Sequence, residues 1–307
     1  MVNHFRCEMP RPIVGFGHSM GAVVLLNLAN MHQRLFTSIV TIEPVLNKST
    51  YAMPMTGVFP LTFRKDRWAT REEALTAFTK GPLYKNFHPD VVRLFGQYGL
   101  RDNADGTVGL TTTKAQELFA YARAAYPPSR SQTLEEFTPT RESHADIGLE
   151  FGTGRERNPE EAFYRPEAQL AFAWLPFLKP SVLMIHGSKS HFIGSSPKGR
   201  KERVEAVGWA TGGSGGVKDG RVQDVVIKGS HFVPMDNPSG VAKAAADWYA
   251  SEMDRWYTLE EEERSSQEAV PVGQRAELSD DWKFWAKKVY ASRQPGGASS
   301  VAKSAKL

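Results

Sequence analysis

The residues best suited to do chemistry are five consecutive positions, Gly17-His18-Ser19-Met20-Gly21. A short apolar run (residues 13–16) precedes them and an unbroken apolar run follows, which predicts a buried strand, a sharp turn and a buried helix. A serine at such a strand-to-helix turn is typical of a nucleophile elbow. We expect a strained backbone at Ser19, with Gly17 and Gly21 allowing strand and helix to approach each other. The pattern predicts that Ser19 is a nucleophile for acyl transfer.

The same turn predicts one group that would stabilise the reaction. The first N–H groups of a helix have no partner within the helix, and the helix dipole places partial positive charge there. The Met20 N–H is therefore a candidate oxyanion donor. The alternative is that Ser19 is an ordinary serine in a glycine-rich turn.

A nucleophilic serine needs a base, and His231 is the histidine best placed for that role. The apolar segment before it (residues 225–227) predicts a last strand, and a helix-like run from Val241 to Trp256 follows. In a fold with this elbow the histidine comes last in the chain order of the triad. The alternative is a solvated loop histidine. His18, next to the nucleophile, is expected to be structural.

The acid is predicted to be Glu43. The usual acid position, three residues after the glycine that ends the penultimate strand, holds Ser190, and no carboxylate lies between Gly187 and Lys201. The strand predicted at residues 38–42 ends at Glu43, whose carboxylate would hold the imidazole tautomer and stabilise the imidazolium. The alternative is a glutamate that caps a loop. For Ser190→Ala the sequence predicts little effect.

Together these residues carry a resemblance. With Glu43-Pro44 and the stretches 12–21, 212–221 and 228–235, the chain resembles a fungal family of peroxisomal α/β-hydrolases. That family includes hydrolases of AK-toxin and mycophenolic acid biosynthesis and a yeast peroxisomal lipase. The resemblance implies an acid after the strand that follows the nucleophile, which agrees with Glu43. Ser230 departs from the glycine that the family commonly has there.

The elbow predicts an α/β-hydrolase fold. The segment between Glu43-Pro44 and Lys179-Pro180 is too long to be a loop, so we expect it to form an inserted helical cap domain. Because the nucleophile comes at residue 19, we expect an N-terminally incomplete parallel sheet that lacks several strands and the loop with the second oxyanion donor. The expected parts are residues 1–50 (nucleophile-elbow half of the core), 51–178 (cap), 179–258 (rest of the core), 259–292 (C-terminal helical extension) and 293–307 (flexible tail).

Helical spacing of apolar residues predicts four helices in the cap, at residues 71–80, 89–98, 114–126 and 166–175. The extension is predicted to hold a helix capped by Ser279 that docks on the body. Most aromatic side chains of the cap are expected to form its own core, and a few to line an acyl pocket.

Four basic residues follow the penultimate strand: Lys198, Arg200, Lys201 and Arg203. They have the charge to contact the phosphates of coenzyme A. The alternative, and the expected one for most charge clusters of this kind, is a solvated helix start.

The last three residues, Ala305, Lys306 and Leu307, form a small–basic–Leu tripeptide of the S-K-L class. Such a tripeptide is an address that the peroxisomal import receptor reads, so we expect a peroxisomal location. The single cysteine, Cys7, excludes an internal disulfide. No apolar run approaches a membrane span, and dispersed basic residues with a net charge of +4 argue against nucleic acid as a partner.

The predicted function is a peroxisomal serine hydrolase that cleaves an acyl thioester, such as an acyl-coenzyme A, or an ester. The family resemblance places it in fungal secondary-metabolite or toxin biosynthesis. This chemistry requires no metal and no cofactor, and the substrate is a small acyl compound, free or linked to coenzyme A. Two alternatives stay open: a lipase or esterase with the same triad, and an accessory protein whose catalysis is impaired.

Overall fold

The computed structural model describes residues 2–5, 8–46, 48, 55–81, 84–137, 139–140, 142–144, 162–191 and 197–292. Cys7 and the predicted targeting residues Ala305, Lys306 and Leu307 lie outside the described residues. The chain divides into two compact units, residues 1–253 and 254–307.

The first unit is built around a four-stranded parallel sheet with the strand order β1-β2-β8-β9. These strands are β1 (Val14–His18), β2 (Ser38–Ile42), β8 (Ser181–Gly187) and β9 (Val222–Ile227). His18 pairs with Ile42, Ile42 with Ile185, and Gly187 with Ile227, so the carboxyl ends of the strands lie along one edge of the sheet.

Among the described residues the α-helices are α1 (Val2–Phe5), α2 (Met20–Met31), α3 (Met55–Phe63), α4 (Arg71–Lys80), α5 (Pro89–Leu94), α6 (Lys114–Tyr121), α7 (Pro166–Trp174), α8 (Pro197–Ala206), α9 (Val233–Asp236), α10 (Pro238–Glu268) and α11 (Asp280–Ser292).

The two central strands, β2 and β8, are covered on both faces and are buried throughout. Side chains alternate between the two faces, as the period of a strand requires. On one face Ile39 and Met184 pack with Leu26 of α2. On the other face Val40, Ile42, Leu183 and Ile185 pack with Val241 and Trp248 of α10.

The segment between β2 and β8 contains helices and two small antiparallel sheets that the sequence analysis did not predict. The larger has the order β3-β5-β4, and the smaller pairs β6 with β7. These strands are β3 (Arg67–Trp68), β4 (Leu100–Asp102), β5 (Val108–Leu110), β6 (Arg123–Ala124) and β7 (Phe163–Tyr164). Trp68, Phe78, Leu100 and Val108 form a separate buried cluster there, in line with an aromatic core of this segment.

Two of the predicted helices end earlier than their periodicity indicates. Helix α5 stops at Leu94, and residues 95–99 form a π-helical turn that contains Gly96 and Gly99. Helix α6 stops at Tyr121 because Arg123 and Ala124 enter the small sheet with β7.

The second unit contains the end of α10 and helix α11. The Ser279 hydroxyl accepts a hydrogen bond from the Trp282 N–H (3.1 Å), which is the predicted N-cap contact. That this helix docks on the rest of the chain stays a prediction. None of the described helices is both long and apolar enough to cross a membrane.

Candidate active site

The turn at Ser19 has the geometry of a nucleophile elbow. Ser19 lies between the last residue of β1 and the first residue of α2, with φ 54° and ψ −119°. Its N–H still donates to the Ile42 carbonyl (2.8 Å), so the sheet holds the residue while the chain reverses into the helix. Met20 begins α2, which places its N–H at the helix terminus next to Ser19.

Of the two glycines expected to be required at the elbow, only Gly17 is crowded. A Cβ on Gly17 would lie 2.8 Å from the backbone of Ala22, whereas a Cβ on Gly21 would meet nothing within 4 Å. The expectation that Gly21 permits close approach of strand and helix is therefore wrong in this structure. Gly17 alone has that role, because α2 folds directly back onto β1.

The structure brings Ser19, His231 and Glu43 together in one hydrogen-bonded chain. The His231 Nε2 atom lies 3.0 Å from the Ser19 Oγ, and the His231 Nδ1 atom lies 3.1 Å from the Glu43 Oε2. With a proton on Nδ1, the imidazole donates to the carboxylate and leaves Nε2 free to accept the Ser19 proton. The arrangement can therefore deprotonate the serine during attack on an acyl carbon.

Glu43, like Ser19, is the first residue after the end of its strand. It has φ 49°, and its N–H donates to the Ile185 carbonyl (2.8 Å). Its side chain is 1% exposed. Burial raises the pKa of Glu43, but hydrogen bonds from His231, Ser190 and the Gly187 N–H outweigh it and leave the pKa below the ordinary value. Glu43 is therefore a carboxylate at neutral pH.

His231 lies in a loop that Ser230 and Asp236 hold in place. The Ser230 N–H and hydroxyl both donate to the Asp236 Oδ2 (2.6 Å each), and the Ser230 Oγ accepts from the Phe232 N–H (3.1 Å). The serine that stands in place of the family's glycine thus makes contacts of its own.

Further histidines surround this chain of three residues. His18 Nε2 donates to the His231 carbonyl oxygen (2.8 Å), which agrees with a structural role, and burial lowers its pKa. His186 is 2% exposed, with its Nδ1 atom 3.8 Å from the Glu43 Oε1. Burial lowers the pKa of His186 as well, so its imidazole is neutral. It therefore does not compete with His231 as a positively charged partner of the Glu43 carboxylate. No sequence signal indicates a role for His186, because a histidine within an apolar strand resembles an ordinary core residue.

The four basic residues after β8 lie on α8 and divide into two kinds. Lys198 and Lys201 are exposed, and Lys201 Nζ lies 3.6 Å from Glu205. Arg200 and Arg203 are half-buried; the Arg200 Nε lies 3.4 Å from an oxygen of Asp224, and burial lowers the pKa of Arg203. Among the described residues no group of three or more His, Cys, Asp or Glu is placed to hold a metal ion.

Two contacts join the cap to the loop that carries His231. The Phe87 and Phe232 rings lie 5.7 Å apart, and the His88 N–H donates to the Met235 carbonyl (2.8 Å). Phe87 of the cap therefore contacts the residue that follows His231. An apolar side chain at this place can form part of the wall of an acyl pocket.

The α/β hydrolase family profile matches residues 2–244. This chain belongs to the α/β hydrolase family. It is 34% identical to a type I acyl-CoA thioesterase, mpaH, of Penicillium brevicompactum, over 85% of this chain and 63% of that protein. It is 23% identical to the abhydrolase domain-containing protein ACTT2-1 of Alternaria alternata, over 78% of this chain and 84% of that protein.

The fold has a counterpart among solved structures. The peroxisomal α/β-hydrolase Lpx1 of Saccharomyces cerevisiae superposes with a TM-score of 0.56 at 16% identity, over 95% of this chain and 66% of that one. The predicted α/β-hydrolase fold and the resemblance to the fungal family are thereby confirmed. The chain spans 63% of the length of the Penicillium relative, and the N-terminally incomplete sheet stays a prediction.

Proposed function

We propose that this chain is a serine hydrolase that cleaves an acyl thioester of coenzyme A or a related acyl ester. The observation that carries the proposal is the hydrogen-bonded chain from the Ser19 Oγ through His231 to the buried Glu43 carboxylate. Relatives at 34% identity that are acyl-CoA thioesterases support the thioester over other acyl compounds.

In the proposed mechanism, the Ser19 Oγ attacks the acyl carbon while His231 Nε2 accepts the hydroxyl proton. Glu43 stabilises the imidazolium, and the Met20 N–H donates to the oxyanion. The tetrahedral intermediate collapses, the carbon–sulfur or carbon–oxygen bond breaks, and His231 returns the proton to the leaving thiolate or alkoxide. Water, deprotonated by His231, then attacks the acyl-serine. The bond between the acyl carbon and the Ser19 Oγ breaks as His231 returns the proton to Oγ, which releases a carboxylic acid and free Ser19.

The test compares hydrolysis by the full chain with hydrolysis by its Ser19→Ala variant. Two products are measured: the thiol released from acyl-coenzyme A and the p-nitrophenol released from p-nitrophenyl esters. We expect thiol release that Ser19→Ala abolishes while the circular dichroism spectrum is unchanged. Hydrolysis of the esters alone would favour the esterase or lipase alternative. A well-folded chain inactive toward both would favour an accessory role, and turnover that persists in Ser19→Ala would exclude the serine mechanism.

For substrate binding, we propose that α8 supplies cations for the phosphates of coenzyme A. Lys198 and Lys201 are the two exposed members of the set, while Arg200 and Arg203 are half-buried. Reversing both lysine charges should raise KM for acyl-coenzyme A and leave KM for a p-nitrophenyl ester unchanged. An equal KM for acyl-coenzyme A before and after the reversal would show that the helix does not contact the phosphates.

For location, we propose import into peroxisomes through Ala305, Lys306 and Leu307, and a part in fungal secondary-metabolite biosynthesis. The tripeptide supports the first statement and the family resemblance supports the second.

A further inference from the structure

The turn that follows β8 contacts both carboxylate oxygens of Glu43. The Gly187 N–H donates to Oε1 (2.7 Å), and the Ser190 hydroxyl donates to Oε2. The Ser190 N–H closes the turn on the Gly187 carbonyl (3.0 Å). Both donors therefore belong to one closed turn, and each carboxylate oxygen has a donor from it.

The same turn also holds the segment that carries the base. The Lys189 N–H donates to the Gly229 carbonyl (2.8 Å), two residues before His231. A Cβ on Gly187 would lie 2.1 Å from the Ser230 carbonyl oxygen, so the loop packs directly on the bare glycine backbone. The turn thereby sets the position of the acid relative to the base.

Ser190 of the turn and His231 of the neighbouring loop share one oxygen of Glu43. A carboxylate oxygen has two lone pairs, so a donor on one of them directs the other. The Ser190 hydroxyl occupies Oε2 from one side, and the His231 Nδ1 approaches the same atom at 3.1 Å. Ser190 is 3% exposed, so water does not readily take the place of its hydroxyl. Removing the hydroxyl therefore leaves the carboxylate oxygen without that hydrogen bond, which costs free energy.

We propose that Ser190 is a positioning residue that aims the Glu43 carboxylate at His231. In the commoner arrangement the catalytic acid itself stands at the position of Ser190. Here Ser190 instead donates a hydrogen bond to Glu43, which follows the neighbouring strand. The proposal rests on the proposed function, since Ser190 acts only through Glu43 and His231. It reverses the sequence-based expectation that Ser190→Ala has little effect.

The test compares three variants of the full chain: Ser190→Ala, Ser190→Thr, which keeps a hydroxyl, and Ser188→Ala, a control in the same turn with an exposed side chain. Two rates are measured: modification of Ser19 by a fluorophosphonate and turnover of a p-nitrophenyl ester. Ser190→Ala should lower both rates by about tenfold, because one hydrogen bond to a charged group is lost. For the ester, the loss should appear in kcat rather than in KM. Ser190→Thr should recover most of the loss, and Ser188→Ala should match the wild type.

A double-mutant cycle separates positioning from a general structural role. If Ser190 acts through Glu43, then Ser190→Ala should cause no further loss in a Glu43→Gln background. The same fold-loss in both backgrounds, or a wild-type rate for Ser190→Ala alone, would overturn the positioning role. A wild type that does not react with the fluorophosphonate would overturn the proposed function as well, whereas Ser19-dependent reaction with an unaffected Ser190→Ala overturns only the role of Ser190.

Discussion

At the scale of single residues, Ser19 and Glu43 are the two non-glycine residues with positive φ in the described part of the chain. Each such conformation costs about 1–3 kcal/mol and persists only where the surroundings enforce it. Here the sheet enforces it, because both N–H groups continue the ladder to the next strand. In this conformation both side chains lie at the carboxyl ends of the strands, where each contacts the imidazole of His231.

The first prediction concerns Glu43→Gln. The amide keeps the size of the side chain but has no charge to stabilise the imidazolium and does not enforce the tautomer with the proton on Nδ1. Turnover should fall by about 10³–10⁴ with little change in KM. Steady-state kinetics measure both values, and the circular dichroism spectrum checks that the variant is folded. A loss of only a few-fold would exclude Glu43 as the catalytic acid.

At the scale of elements, the site depends on how closely α2 folds back on β1. Gly17 lies at the contact, and Ala22 is fully buried against it. Gly21 is exposed, although it stands at the matching position of the sequence motif. The two glycines of the motif therefore differ in what a methyl group would do.

The second prediction compares Gly17→Ala with Gly21→Ala. The first should destabilise the chain by about 1–3 kcal/mol, because the added carbon overlaps the Ala22 backbone and pushes the helix from the strand. The second should be neutral or stabilise by up to about 1 kcal/mol, because alanine favours the helix. Urea unfolding of both variants gives the two free energies. Equal losses would show that open space at Gly21 is needed for folding.

At the scale of the whole molecule, parallel topology brings distant parts of the chain together. Ser19 and His231 are separated by 212 residues, and Glu43 and His231 by 188. Each follows a parallel strand of the same sheet, so their carboxyl-end loops share one edge. The proposed address for import consists of the last three residues of the sequence.

The third prediction concerns that address. A fluorescent reporter with the last twelve residues of the chain should colocalise with a peroxisomal marker, because the receptor binds the terminal side chain together with its carboxylate. The same reporter without Leu307 should stay in the cytosol, which is the matched control. A reporter that remains diffuse with the intact tail would contradict peroxisomal import.

The sequence determined the order of the elements around the site and the three residues brought together there. Local patterns were sufficient, because an apolar strand followed at once by serine, glutamate or a Gly-Ser-His turn places each side chain at the end of a strand. The helix bounds at residues 71–80 and the N-cap Ser279 likewise depend on neighbours within a few positions.

Only the tertiary structure decided what surrounds those three residues. The contact of Ser190 with Glu43, the approach of His186 to Glu43 and the hydrogen bond from His18 to the His231 carbonyl join residues that lie 143 to 213 positions apart in the sequence. Likewise, β6 pairs with β7 across some forty residues, and open space lies beside Gly21. Such contacts depend on which strands and loops become neighbours, and the periodicity of one segment carries no information about the side chains of another.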